Sequence, residues 1–208
     1  MSEKILDCLG MTCPMPLMAC RQCLETEAPE SLKVLVDDDA ALENVTRYLA
    51  ACGYRSSHAK DGPTWIISAS RGPEADTARA PAVEDYPCPL PHKGDDSQRM
   101  LVFLTRETIG RGDDGLGAKL MGNFLKTLSE LGPDLWRIVM VNGAVKLAAA
   151  DSQHLETLRA LETSGVSILV CGTCLEFFGL LDKRAVGQTT NMLDVVTSLQ
   201  MAGKVINL

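Results

Sequence analysis

The sequence predicts an α/β protein of two domains: a two-layer β-α-β-α-β sandwich followed by a parallel, doubly wound α/β sheet. Three observations lead there. Short apolar runs alternate along the chain with segments whose apolar residues recur every three to four positions, the patterns of strands and amphipathic helices. The residues between about 71 and 97 interrupt that alternation, holding five of the ten prolines (Pro73, Pro81, Pro87, Pro89 and Pro91) among acidic and small residues. Such a stretch sustains neither a helix nor a ladder and is expected to be an extended linker. Finally, 208 residues with 46% hydrophobic composition are enough to form two cores of ordinary size. The expected boundaries are 1–70, 71–97 and 98–208.

The first domain opens with a strand over 4–8. A helix follows from Pro14, its inner face marked by Leu17, Cys20 and Leu24. The run 32–36 is the second strand. Asp39 begins a second helix through Val45, Leu49 and Cys52, closed by Gly53. A last strand spans 64–69. In the second domain, 100–105 reads as a buried strand. Asp113 caps a long helix with an apolar stripe of Leu116, Leu120, Phe124, Leu128 and Leu131. Strands over 137–141, 166–171 and 204–208 then alternate with helices near 152–164 and 190–201. Helices between apolar strands imply parallel pairing, and such sheets gather their chemistry beyond the carboxyl ends of the strands.

Charge and composition exclude several function classes. The net charge is −7, with −4 on residues 1–70, −3 on 71–97 and neutrality on 98–208, so neither domain offers the basic surface that nucleic acid requires. Nine aromatic residues leave little material for base stacking. No apolar run approaches the ~20 residues of a membrane span. The N-terminal residues lack the pattern of a secretory signal, and the protein is expected to be cytoplasmic, where thiols stay reduced. Eight cysteines in that setting point to thiol or metal chemistry rather than a disulfide frame.

Cys13 is the leading candidate. It follows the first strand and precedes a helix that starts at Pro14, where the missing N–H costs nothing; Pro16 still lies in the first turn. Cys13 is thereby expected to cap the helix, its thiolate favoured by free N–H groups and the helix dipole. The dipole contributes ~0.3–1 kcal/mol, less than the ~1.36 kcal/mol of one pKa unit, so direct N–H···S bonds must add to it. The plain alternative is a small capping residue in a turn shaped by two prolines. Cys8, Cys13, Cys20 and Cys23 fall within sixteen residues, but structural zinc favours paired ligands from turns, and the last two lie mid-helix. Cys20 is expected in the core and Cys23 to be a partly exposed thiol able to resolve an oxidised Cys13.

The second candidate is Cys171-Gly172-Thr173-Cys174, a C-x-x-C at the end of an expected central strand. Two thiols so spaced can close a disulfide, share a persulfide or supply half a metal site; the plain alternative is two small residues flanking a turn. Gly110-x-Gly112-x-x-Gly115 mimics a dinucleotide loop, yet Asp113 and Asp114 stand where a pyrophosphate would approach, and Asn142 replaces the expected acid after the second strand. Arg106 and Arg111 can lend positive charge to the Cys171 site. Cys88-Pro89-Leu90-Pro91 repeats the first motif without its flanking elements and reads as coincidence. Trp65 and Trp136 read as packing residues, and His58, His92 and His154 show no ligand spacing. No cofactor and no metal are assigned.

Two resemblances add to this reading. The run 5–17 (ILDCLGMTCPMPL), with Val34-Leu35-Val36-Asp37-Asp38-Asp39 and Glu43-Asn44-Val45, resembles the TusA/SirA sulfur carriers over nearly all of 4–70. That resemblance implies that Cys13 carries a persulfide; Cys8, Cys20 and Cys23 depart from the family pattern. Residues 98–208 resemble DsrE-like, flavodoxin-like sulfur-relay domains through Gly110-Arg111-Gly112-Asp113, Val141-Asn142-Gly143 and 171–180 (CGTCLEFFGL). Such a fusion is similar to the YedF-type proteins, associated with selenium metabolism. The resemblance implies a persulfide or perselenide carrier that is loaded on Cys13 and discharges through Cys171 and Cys174. Its expected partners are a cysteine desulfurase or another donor and a downstream acceptor, with homo-oligomers formed by the second domain. A redox sensor or regulatory binding module using Cys171 and Cys174 is the alternative, and a structural zinc protein the third.

Overall fold

Two sheets of different construction organise the chain. The computed structural model describes residues 3–11, 14–71 and 99–208, and the chain divides into two compact units, Met1–Pro87 and Cys88–Leu208. Cys13, Cys88 and most of the expected linker lie outside the described residues. Among the described residues no helix is long and apolar enough to cross a membrane.

In the first unit, β1 (Lys4–Asp7), β2 (Ser31–Val36), β3 (Tyr54–Asp61) and β4 (Thr64–Arg71) form a mixed sheet in the order β1-β2-β4-β3. β1 and β2 are parallel, as a connection through α1 (Met15–Thr26) requires, and the other pairs are antiparallel. Along β2, Leu32, Val34 and Val36 are buried while Ser31, Lys33 and Leu35 are half-buried. This alternation leaves one face for α1 and α2 (Asp39–Ala51), which bury Leu17, Cys20 and Leu24, and Val45, Tyr48 and Leu49.

The expected two-layer arrangement is observed, with one strand more than the sequence pattern showed. Residues 54–61 (YRSSHAKD) have almost no apolar alternation. Their strand is an edge, paired residue for residue with β4 across a Gly62-Pro63 turn in which Gly62 has φ +59°. Pairing rather than patterning creates it. The start of α1 also shifts by one residue. Met18 N–H donates to the Pro14 carbonyl, which makes Pro14 the capping residue rather than the first helical one.

The second unit is a five-stranded, wholly parallel sheet in the order β8-β7-β6-β5-β9, a flavodoxin-like α/β architecture. The strands are β5 (Met100–Leu104), β6 (Leu135–Met140), β7 (Ser167–Cys171), β8 (Gln188–Thr190) and β9 (Lys204–Asn207). The chain steps outward from β5 to β8 through α3 (Asp114–Thr127), α4 (Leu155–Thr163) and α5 (Gly172–Phe177), then crosses back through α6 (Met192–Met201) to place β9 beside β5. One sheet face packs Met121, Leu125, Leu158 and Leu175 from α3, α4 and α5. On the other face, Leu101, Val139 and Leu169 meet Val195 of α6.

Two elements were missed and one expected face is corrected. The short α5 and β8 had no pattern long enough to read. The inner face of α3 carries Gly117, Met121 and Leu125, while Leu116 and Leu120 are 57% and 43% exposed; Leu128 is buried, but in a 3-10 segment after the helix. Gly117 explains the rotation. A β-carbon there would lie 2.9 Å from both the Ile109 carbonyl oxygen and Thr108 Cβ, so only glycine lets this helix face meet the preceding loop.

Candidate functional site

The turn leading to Cys13 is tied down by carboxylates. Asp7 Oδ1 accepts from Leu9 N–H at 3.1 Å and Asp37 Oδ2 from Gly10 N–H at 2.7 Å, with Gly10 at φ +70°. Cys13 itself lies outside the described residues. On its far side α1 begins with no side-chain cap, Pro14 in the capping position and Pro16 buried. Because neither proline has an N–H, Met15 and Leu17 supply the first-turn donors of this helix. Leu9, Met15 and Met18, which flank the turn, are exposed.

The neighbouring thiols are of another kind. Cys8, Cys20, Cys23 and Cys52 are all buried. Burial pushes the Cys20 thiol far up, with the nearby Cys8, Cys23 and Cys52 adding to the rise. Burial also raises Cys52 to about 11, moderated by a hydrogen bond with Tyr48, and raises Cys8 and Cys23. Cys20 is thus core, as expected. Cys23 is not the exposed resolving thiol the sequence suggested, because a spacing of three from Cys20 turns it to the same inner face. Among the described residues, no three His, Cys, Asp or Glu side chains are gathered to hold a metal.

In the second unit, Cys171 ends β7 and is buried, and Cys174 follows in α5, half-buried; neither is in a disulfide. Asn142, the first residue after Val141 at the end of β6, has φ +51°, a left-handed conformation that asparagine tolerates better than most residues. This backbone turns the Asn142 N–H onto Cys174 Sγ at 3.1 Å. The bond joins two strand ends thirty-two residues apart in sequence.

Beside this pair, at the carboxyl ends of β5 and β6, lies an open cleft of about 960 Å³. Its lining includes Arg106, Asn142, Lys146, Asp151, His154 and, one turn after Cys174, Phe178. Of the sequence candidates, Arg106 and Asn142 therefore meet here, while the exposed Arg111 does not line the cleft. Lys146 is engaged, 2.8 Å from Glu107 and 5.2 Å from the Phe178 ring centre. The loops close together because Gly143 passes 3.9 Å from the Arg106 Cα, measured from where a β-carbon would sit.

Sequence reasoning gave His154 no role, and the structure places it, buried, in the cleft wall. Burial lowers its pKa from the ordinary value, and the Lys126 ammonium lowers it further. Its ring packs where a β-carbon on Gly122 would approach within 3.1 Å. No spacing to a cysteine or another histidine could have revealed it, nor Lys146, because the wall is assembled from segments far apart in the chain.

Residues 4–70 match the family model of sulfurtransferase TusA. Among solved structures, a SirA-like protein from Desulfitobacterium hafniense is 27% identical, covering 33% of this chain and 96% of its own, with a TM-score of 0.30. The ychN protein from E. coli is 16% identical over 53% of this chain and 99% of its own, with a TM-score of 0.43. A protein of unknown function from Methanobacterium thermoautotrophicum is 18% identical over 53% and 98% respectively, with a TM-score of 0.38. No curated protein matches the chain.

Proposed function

We propose that the protein is a sulfur or selenium carrier and relay, loaded on Cys13 and discharged through the Cys171 and Cys174 pair. The observation that carries this reading is the TusA match over residues 4–70, which includes the Cys13-Pro14-Met15-Pro16 turn at the start of α1. A TusA/SirA-like domain supports a sulfur-carrier role; the relay and the choice of chalcogen are the proposal's own extension. A donor such as a cysteine desulfurase places a terminal sulfur or selenium on Cys13. The Cys174 thiolate then attacks that outer atom, the bond from it to the Cys13 sulfur breaks, and Cys13 leaves as a thiolate. Nothing is oxidised or reduced overall, and the chemistry is that of thiol exchange. The Asn142 N–H, 3.1 Å from Cys174 Sγ, supports the step by holding the attacking sulfur in place. A downstream acceptor completes the relay, and the fusion to a DsrE-like, YedF-type second domain is the arrangement proposed, with self-association through that domain.

Intact-protein mass spectrometry after incubation with a cysteine desulfurase and cysteine, or selenocysteine, tests this directly. Wild type and Cys171→Ser/Cys174→Ser are expected to gain one chalcogen, and Cys13→Ser none. Normal loading of Cys13→Ser would overturn the entry point. A second reading, a dithiol–disulfide sensor, draws on the pairing of buried Cys171 with half-buried Cys174 one turn away. No mass gain in any form, with that pair cycling near the glutathione potential, would establish the sensor instead.

A further inference from the structure

Neither Cys171 nor Cys174 lines the cleft, but Asn142, whose N–H donates to Cys174 Sγ, does, and charged side chains line it as well. Glu107 and Lys146 satisfy one another. Arg106 has no acidic partner among the described residues, and neither Asp114 nor Asp151 has a basic one. Among the described residues the cleft thus presents one uncommitted cation and two uncommitted anions, with Phe178 and Leu180 as apolar members of its lining. Its volume of about 960 Å³ is in the range of small-molecule sites. Its position beyond the carboxyl ends of parallel strands is where such sheets bind ligands.

We propose that this cleft binds a small zwitterionic thiol of the amino-acid or short-peptide type, as the acceptor of the chalcogen held on Cys174. This deepens, and rests on, the carrier reading. The ligand's carboxylate faces Arg106, its ammonium faces Asp151 and Asp114, and its thiol lies toward Phe178 and the Asn142–Cys174 hydrogen bond. A ligand with a single charge leaves one side of this lining without its counter-charge, which is how a site of mixed sign discriminates. The transfer balances without a further reactant. The ligand's sulfur attacks the outer atom of the Cys174 adduct, the bond to Cys174 breaks, the ligand's proton passes to the Cys174 sulfur, and the ligand leaves as a persulfide or its seleno-analogue. No net oxidation occurs.

The test is a calorimetric titration of the full, unloaded chain with S-methylcysteine, a thioether that cannot react. Methylthio-propionate lacks its ammonium and methylthio-ethylamine lacks its carboxylate. S-methylcysteine is expected to bind at least about tenfold more tightly than either, because each lost charge-assisted hydrogen bond weakens binding by that order. Arg106→Ala and Asp151→Asn are each expected to remove most of this preference, with Arg106→Lys restoring part of it and circular dichroism unchanged. Equal binding of the three probes, or full binding by both variants, overturns the proposal. Since the probe is inert and the protein unloaded, weak binding defeats this inference whatever the loading experiment shows. A failure to load defeats the carrier reading whatever the titration shows.

Discussion

At the scale of single residues, the free thiols differ by environment. Cys52, lifted to about 11 by burial, stays almost wholly in the thiol form at about pH 7.5. Cys20 lies further up still, and Cys8 and Cys23 are raised in the same direction by the same desolvation. Cys174 is half-buried, with an amide donor on its sulfur. Brief treatment of the native protein with iodoacetamide at that pH, followed by peptide mass mapping, should therefore modify Cys174 and leave Cys8, Cys20 and Cys52 untouched until denaturant is added. Modification of Cys20 as fast as Cys174 would show that the first unit opens on that timescale, and the buried-thiol account would fail. The sequence made Cys20 readable as core because it falls on the apolar stripe of α1. Cys23 was misread because that stripe is wider than its leucines alone suggest.

At the scale of elements, what could be read depended on whether a strand or helix carries its own period. β1, β2, β5, β6, β7 and the helices α1, α2 and α6 do, and each lies close to its expected place. β3 carries none and exists through its ladder with β4; β8 and α5 are too short to show one. α3 is apolar on more than one side, so periodicity could not choose its buried face, and the close approach at Gly117 does. The consequence is measurable. Gly117→Ala inserts a methyl 2.9 Å from the Ile109 carbonyl and should destabilise the second unit by about 1–3 kcal/mol through overpacking. It would also displace Thr108, which lines the cleft. Gly112→Ala meets nothing within 4 Å and serves as the neutral comparison. Thermal melts that lower the midpoint for Gly117→Ala by several degrees and leave Gly112→Ala unchanged are the expected result. Equal midpoints would mean that the loop yields freely.

At the scale of the whole molecule, the candidate site was half legible. The two cysteine motifs could be found because each is local in sequence. The cleft could not, since Arg106, the pair Asn142 and Asp151, and Phe178 come from three connections that only the sheet order brings to one end. The two units each have their own sheet and buried side chains, which makes their covalent union a question of function rather than folding. In the proposed relay, a tether that joins donor and acceptor thiols converts a bimolecular transfer into an intramolecular one, at an effective concentration in about the mM range. Separately produced residues 1–72 and 98–208 should both fold, as judged by circular dichroism and a cooperative melt. Discharge from a loaded Cys13 to the Cys171 and Cys174 pair should then rise linearly with the concentration of the second piece, whereas in the intact chain the rate should be independent of protein concentration. An intact chain whose rate also climbs with concentration would mean that transfer runs between copies, and the tether would have to act by gathering partners rather than by shortening the path.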